Sequence, residues 1–479
     1  VRRILAALLA FVVLAGTYVT LDVFDLVPGI LTRAQPQATP TVVPPSGAGT
    51  PTTVAVPTVD AGAQPLQPAS ASARIPDPTA LAKALAAVVA DPALRPGPGV
   101  VVRDAFTGQT LLSKAASRAR VPASTAKLLT ALAVDTTLNP LDTLPTTVVQ
   151  GTRPDQIVLV AGGDTMLATG KGVPTAVEGR AGLADLAEQV ASSLQGAGTT
   201  QVTLRLDTTY AKGPRWAPGW NPVDVTDGYT GGVSMLGLAG QRARPFKPAP
   251  RDPEAATAAA FVGALAKVGI SATLAPESTW STQVPKGATE LGRVESAPIG
   301  EILALALDDS DNALTEGLAR QAAVKAGGAA TFASAVAFVR RTVEARGIDL
   351  TGAVLKDTSG LTAGQAIPPQ VLSDVLQLGA DGSVPAMQDT ISRLPVAGLT
   401  GTLADRFHAK STRAVAGLAR AKTGTLTGVS AMAGTVIDAD GRVLSFVVQA
   451  DGIPAGVGTL NARAALDRFV AVLAACGCP

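Results

Sequence analysis

The chain has 479 residues, 47% apolar and 16% charged, with a formal net charge of +2; that is long enough for two or three domains with large cores. The near-neutral balance, with three Tyr and three Trp, excludes the basic face and aromatic platforms of a nucleic-acid binder. One histidine, His408, and two cysteines, Cys476 and Cys478 at the very end, exclude ordinary zinc sites and a Cys–His nucleophile pair, so no metal or other cofactor is expected.

Arg2 and Arg3 precede 18 uncharged residues, 4–21. That pattern suits a signal peptide or an uncleaved signal anchor over 1–27. No A-x-A site closes the run, which favours the anchor. Either way the basic end stays inside and the rest is exported to the extracytoplasmic space of the cell envelope. Residues 28–78 hold eleven of the 35 prolines, with no charge between Arg33 and Asp60. Such a segment has too little apolar surface to fold and reads as a disordered tether.

Residues 79–479 read as globular. "DPTALAKALAAVVAD" predicts a helix starting at Asp77. "GVVVRDAFTGQTLLSKA" predicts a hairpin turning at 106–108. "PASTAKLLTALA" is helical after Pro122. Between about 140 and 288, short β-like runs ("TTVVQG", "QIVLVAGG", "QVTLRLDTTY") alternate with helices. "VSAMAGTVIDADGRVLSFVVQAD" predicts a hairpin turning at 438–441, and "TLNARAALDRFVAVLAA" a closing helix. No internal repeat is present. The Cys-x-Cys tail fits a disulfide, an intermolecular link or a loose end.

Three short motifs carry chemistry. Ser124 and Lys127 are three residues apart and share a helix face; the bland reading is a capping serine and a snorkelling lysine. Ser310-Asp311-Asn312 lies in "DDSDNALTE", where a helix-capping turn is the bland alternative. Lys422-Thr423-Gly424-Thr425 lies in "RAKTGTLTG", which otherwise reads as a strand entering a turn. The chance of all three in one such chain is on the order of one per cent.

S-x-x-K, S-D-N and K-T-G are the signature of penicillin-binding proteins and class A β-lactamases. The longer stretches "VPASTAKLLTA", "APIGEILALALDDSDNALTE", "DTSGL" and "AKTGTLTG" resemble the type-4 low-molecular-mass penicillin-binding proteins, which are D-alanyl-D-alanine carboxypeptidases and endopeptidases. The resemblance runs over roughly residues 80–475. It implies an α/β fold: a β-lactamase/transpeptidase-like domain over 79–139 and 289–479, with a mainly antiparallel sheet flanked by helices. The gap of 186 residues from Ser124 to Ser310 has room for a smaller mixed domain, expected over 140–288. That gap is short for the family, which implies that part of the insert is absent.

The resemblance also implies roles. Ser124 is the nucleophile and Lys127 its base, kept neutral by burial and by the nearby cation Lys422. Ser310 relays a proton to the leaving amine, and Asn312 holds Lys127 and the substrate amide. Thr423, Gly424 and Thr425 bind the substrate's terminal carboxylate, and the N–H groups of Ser124 and Thr425 form the oxyanion hole. Ser359, in the D-x-S-G-L stretch 357–361, belongs to a cleft wall and is expected to touch substrate. The Arg and Asn that often follow that stretch are replaced by "TAGQAIPP", which leaves recognition of the stem-peptide side chain open. The partners implied are peptidoglycan stem peptides, β-lactams as covalent inhibitors, and a membrane through the N-terminal segment.

Glu316, Trp216 and Trp220 read as packing residues, and His408 as a surface one. A β-lactamase would need a deacylating glutamate, and no E-x-x-x-N lies between the second and third motifs. A non-catalytic peptidoglycan-binding envelope protein would have no use for three intact motifs. Carboxypeptidase and endopeptidase action share the same acylation, so both stay open.

Overall fold

A computed structural model describes residues 69–196 and 198–478. The segment expected to cross or leave the membrane, 1–27, and most of the tether lie outside the described residues. No helix among the described residues is long and apolar enough to cross a membrane.

Helix α1 (Pro78–Val89) starts where its sequence places it. Asp77 accepts the Ala80 N–H and Pro78 fills the first turn, where its missing N–H costs nothing. Strands β1 (Gly99–Asp104) and β2 (Thr110–Lys114) form the expected hairpin. A 3₁₀ turn, Ala123–Ala126, then runs into α2 (Lys127–Asp135), every residue of which is buried. Next come β3 (Pro145–Gln150), β4 (Gln156–Val160), α3 (Leu183–Gln195), β5 (Gln201–Asp207), α4 (Pro222–Thr226), α5 (Pro253–Lys267), β6 (Ser271–Leu274) and β7 (Glu290–Glu295). Five helices follow: α6 (Ile299–Asp308), α7 (Asn312–Lys325), α8 (Phe332–Glu344), α9 (Pro369–Ala380) and α10 (Pro385–Ser392). Strands β8 (Ala419–Leu426), β9 (Val429–Ile437) and β10 (Val443–Ala450) and helix α11 (Thr459–Ala475) complete the fold.

The first sheet has the order β2-β1-β10-β9-β8, antiparallel throughout. Its centre joins the two ends of the folded chain, with Val101 opposite Val447. Helices cover both faces, which is why β9 and β10 are near-continuous apolar runs rather than alternating ones. On one face Leu81 and Phe469 pack on Phe446. On the other, Leu128, Leu129 and Val371 join Ala433 and Val447 in a helical core.

The second sheet has the order β6-β5-β4-β3-β7. Strands β4, β5 and β6 are parallel, while β3 runs antiparallel to β4 and β7. Helix α3 makes the crossover from β4 to β5, and its Leu183, Leu186, Val190 and Leu194 recur at helical spacing in a separate core with Phe261. This sheet reaches past the boundary expected at 288. A turn at 286–287 leads into β7, which pairs with the edge of β3.

The tether also ends earlier than expected. The Ser70 N–H donates to the Gly441 carbonyl and the Asp77 N–H to the Cys478 carbonyl. Arg442, paired with buried Asp104, donates to the Ala71 and Ala73 carbonyls. Main-chain groups, invisible to composition, hold this stretch. Cys476 and Cys478 pair with each other.

Candidate active site

Three parts of the first sheet's helical side meet at Ser124. The 3₁₀ turn carrying it begins with Ala123 at φ +46°. Gly360 (φ +87°) lies so close that any side chain there would overlap the Ala123 carbonyl. At Gly424 a Cβ would press on the Pro122 carbonyl. These two glycines let the 357–361 loop and β8 close on the serine turn.

Lys127, wholly buried at the start of α2, directs Nζ at three oxygens. They are Ser124 Oγ at 2.9 Å, Asn312 Oδ1 at 2.6 Å and the Ser359 carbonyl at 2.7 Å. Asn312 opens α7 after Asp311 caps it through the Leu314 N–H. Its Nδ2 donates to the Tyr229 carbonyl at 2.8 Å, which fixes Oδ1 toward the lysine. Burial lowers Lys127 to about 8, partly opposed by the negative charges of Asp357, Glu316 and Asp311.

Lys422 has the opposite surroundings. It lies wholly buried on β8, opposite Ala433, and its Nζ has no hydrogen-bond partner among the described residues. Burial, then the charge of Lys127, pushes it well below the ordinary lysine range, while Asp308 pulls the other way. Both buried amines are therefore shifted toward the neutral form. The amine expected to act as the second cation thus lies in a pocket with no hydrogen-bond partner for it among the described residues.

A cleft of about 820 Å³ opens above these groups, lined by Ser124, Ser310, Asn312, Leu361, Thr423 and Thr425. Thr423 Oγ1 donates to Thr402 Oγ1 at 2.9 Å. A second cavity, about 60 Å³, lies beside Asp164 and Leu318 and does not reach Ser124. Two expected substrate contacts are placed otherwise. Ser359 is fully buried and offers its carbonyl to Lys127, so Gly360 and Leu361 line the cleft instead. Gly424 faces the serine turn.

The sequence profile of the D-Ala-D-Ala carboxypeptidase 3 (S13) family matches residues 81–244 and 236–473. The chain belongs to that S13 family. It is 37% identical over 421 residues to Carboxypeptidase DacB of Mycolicibacterium smegmatis, covering 86% of this chain and 87% of that protein. It is 35% identical over 427 residues to Carboxypeptidase Rv3627c of Mycobacterium tuberculosis, covering 88% and 89%. The crystal structure of penicillin binding protein 4 (dacB) from Haemophilus influenzae superposes with a TM-score of 0.64 at 20% identity, over 83% of this chain and 98% of that one. That likeness gives the S13 chain a transpeptidase-like fold with a second mixed sheet.

Several residues around this S13 site escaped the motifs. Glu316, read as packing, is wholly buried and accepts from the Thr358 N–H, the Thr358 hydroxyl and the Ser359 N–H. Burial pushes it up to about 7. Asp357 accepts from the N–H groups of Ser359, Gly360 and Thr362, from Gln365, and from the Trp220 indole at 3.1 Å. Both acids hold the loop whose Ser359 carbonyl meets Lys127. The signal for Glu316 was its place one turn after Asn312. Nothing local marks Trp220, which lies 137 residues from Asp357. Trp216 is 37% exposed rather than a core anchor, and His408 lies at the surface.

Proposed function

We propose that this S13 member is a serine D-alanyl-D-alanine carboxypeptidase acting on peptidoglycan stem peptides through an ester at Ser124. One observation carries the reading: Lys127 Nζ, enclosed and lowered to about 8, lies 2.9 Å from Ser124 Oγ. A neutral amine has two N–H bonds and one lone pair. Asn312 Oδ1 and the Ser359 carbonyl can only accept, so they take both N–H bonds and leave the lone pair for the serine hydroxyl. Ser124 Oγ then bonds to the carbonyl carbon between the two D-alanines as its proton passes to Lys127. The C–N bond breaks, and the leaving amine takes a proton relayed by Ser310. Water cleaves the ester and frees the shortened peptide.

The substrate's terminal carboxylate is bound by Thr423, Thr425 and Lys422, whose amine, without a partner among the described residues, is held protonated beside that anion. A proton on Lys422 in turn disfavours one on Lys127. The N–H groups of Ser124 and Thr425 receive the developing oxyanion. A β-lactam, an amide that Ser124 opens by the same attack, acts as a covalent inhibitor. Endopeptidase action on cross-links is the second reading, favoured by a cleft that continues past Thr425 to Thr427, Asp405 and Arg463. The enzyme works outside the cytoplasm, held at the membrane by residues 1–27 and spaced from it by the tether. We assign the catalytic domain to 79–139 and the C-terminal part from 289, and the insert to 140–288 extended to the edge strand ending at Glu295.

Mass spectrometry after incubation with purified stem peptides and cross-linked dimers tests this. Loss of one terminal D-alanine is expected, together with a penicillin adduct on Ser124. A Ser124→Ala protein that still releases D-alanine would overturn it.

A further inference from the structure

The insert reaches the S-D-N motif through one side chain. Helix α6 ends with Asp309 as its cap, and the chain reverses through Ser310 at φ +58°. The Ser310 N–H donates to the Leu307 carbonyl and the Asp311 N–H to the Ala306 carbonyl. That pairing closes a helix on a left-handed residue, a place glycine usually takes. A serine there holds a strained backbone for the sake of its hydroxyl. Arg242 grips the residues on both sides of it. Its Nη2 donates to Asp309 Oδ2 at 3.1 Å and to Asp311 Oδ2 at 2.8 Å, and Nε reaches Asp311 Oδ2 at 3.1 Å. Nη1 donates to Glu178 at 2.5 Å, and Arg244 braces Glu178 from the other side. The Arg242 side chain is 7% exposed and that of Asp311 9%, so this is an enclosed, forked contact rather than a surface pair.

We propose that Arg242 is a positioning residue for catalysis: by bridging Asp309 and Asp311 it fixes the left-handed turn that aims Ser310 and Asn312 into the cleft. The inference rests on the reading of Ser124 and Ser310 given above. It gives the insert a part in the chemistry, beyond any contact with substrate. Arg242 also neutralises Asp311, one of the acids acting on Lys127. The other charged groups facing Lys127 are Asp357 and Glu316, which favour its proton, and the Lys422 amine, which the charge of Lys127 itself pushes toward the neutral form.

The test compares full-length wild type with Arg242→Gln, Arg242→Lys and Arg215→Gln. Arg215 joins Asp252 and Glu254 within the insert and touches neither motif. The readouts are the rate of acylation by a labelled penicillin from pH 6 to 10 and the thermal midpoint. Loss of about 1 Å of alignment costs up to about 10²-fold, so Arg242→Gln is expected to acylate roughly ten- to a hundredfold more slowly. With Asp311 no longer neutralised, Lys127 keeps its proton to higher pH, so the acid limb of the rate profile moves up. Arg242→Lys restores the charge but not the fork, so the limb returns while the rate stays at least several-fold low. Arg215→Gln is expected to change the thermal midpoint without moving the limb.

An Arg242→Gln protein with wild-type rate and limb overturns the inference, as does an Arg215→Gln protein that reproduces both changes. Should Arg242→Gln not fold, an Arg242→Lys protein with a wild-type rate overturns it. Failure of wild type itself to be acylated would instead remove the reading of Ser124.

Discussion

Lys127 and Lys422 are both wholly enclosed, yet one pocket is complete and the other is not. Around Lys127 the protein supplies three oxygens, and the Asn312 amide and the Ser359 main chain that carry two of them are held by further hydrogen bonds. Around Lys422 the described residues supply no hydrogen-bond partner. Burial without a partner destabilises an ammonium strongly, whereas burial with partners destabilises it only in part. On the proposed function, the first pocket holds the base and the second is left for an anion that arrives with the substrate.

The hardest test of this contrast is Lys127→Met, which keeps the volume and removes the nitrogen. Acylation by penicillin and by stem peptide should both fall by about 10³–10⁴-fold, the upper range of a positioned general base. A fall under tenfold would move the base elsewhere. Lys422→Met should behave differently. Substrates ending in a free carboxylate should lose about 10²-fold in kcat/KM, the scale of a charge-assisted contact in a dry site. The same peptide ending in an amide should lose far less. Equal losses for both peptides would mean that Lys422 serves the reaction generally and does not read the terminus.

The sharper of the two pockets was the more legible in sequence. Ser124 and Lys127 are three residues apart, so local spacing alone brings them together. The hairpin turn at 438–441 and the closing helix were equally local, written in Asp-Gly turn chemistry and in helical spacing. What stayed hidden acts through main-chain atoms or over long separations. The Ser359 and Tyr229 carbonyls have no side-chain signature. Arg242 meets Asp311 across 69 residues. The D-x-S-G-L motif points to the cleft and so suggests a substrate contact at Ser359, but its carbonyl meets Lys127 and its hydroxyl is buried.

The pH dependence follows from the same contrast. Acylation needs neutral Lys127, so below about 8 its rate in the free enzyme should fall close to tenfold per pH unit. Stability should move the same way at higher pH. Both lysines bind their proton less tightly folded than unfolded, so the unfolded chain holds more protons between about 8 and the ordinary lysine value of 10.5. Stability therefore rises with pH across that window and is lost as pH falls through it. Denaturation midpoints at pH 7.5 and 9.5 check the sign. Lys422→Met should flatten the rise without moving the acid limb of acylation down.

The smallest effect expected is at the rim of the complete pocket. Trp220→Phe keeps the ring against Phe332, where the centroids are 5.6 Å apart, and removes only the N–H donated to Asp357. Asp357 keeps three backbone donors and Gln365, so its charge stays solvated by the protein. The lost bond to a charged acceptor should cost about 1.5–3 kcal/mol of stability, with less than a tenfold change in acylation. Trp216→Phe, on a residue 37% exposed, should stay within about 0.5 kcal/mol. If the two variants have equal denaturation midpoints, the insert does not brace the Lys127 pocket through Trp220. If Trp220→Phe slows acylation by more than tenfold, the Ser359 carbonyl is held less firmly than its neighbours imply, and the two lysine pockets differ less than their hydrogen bonds suggest.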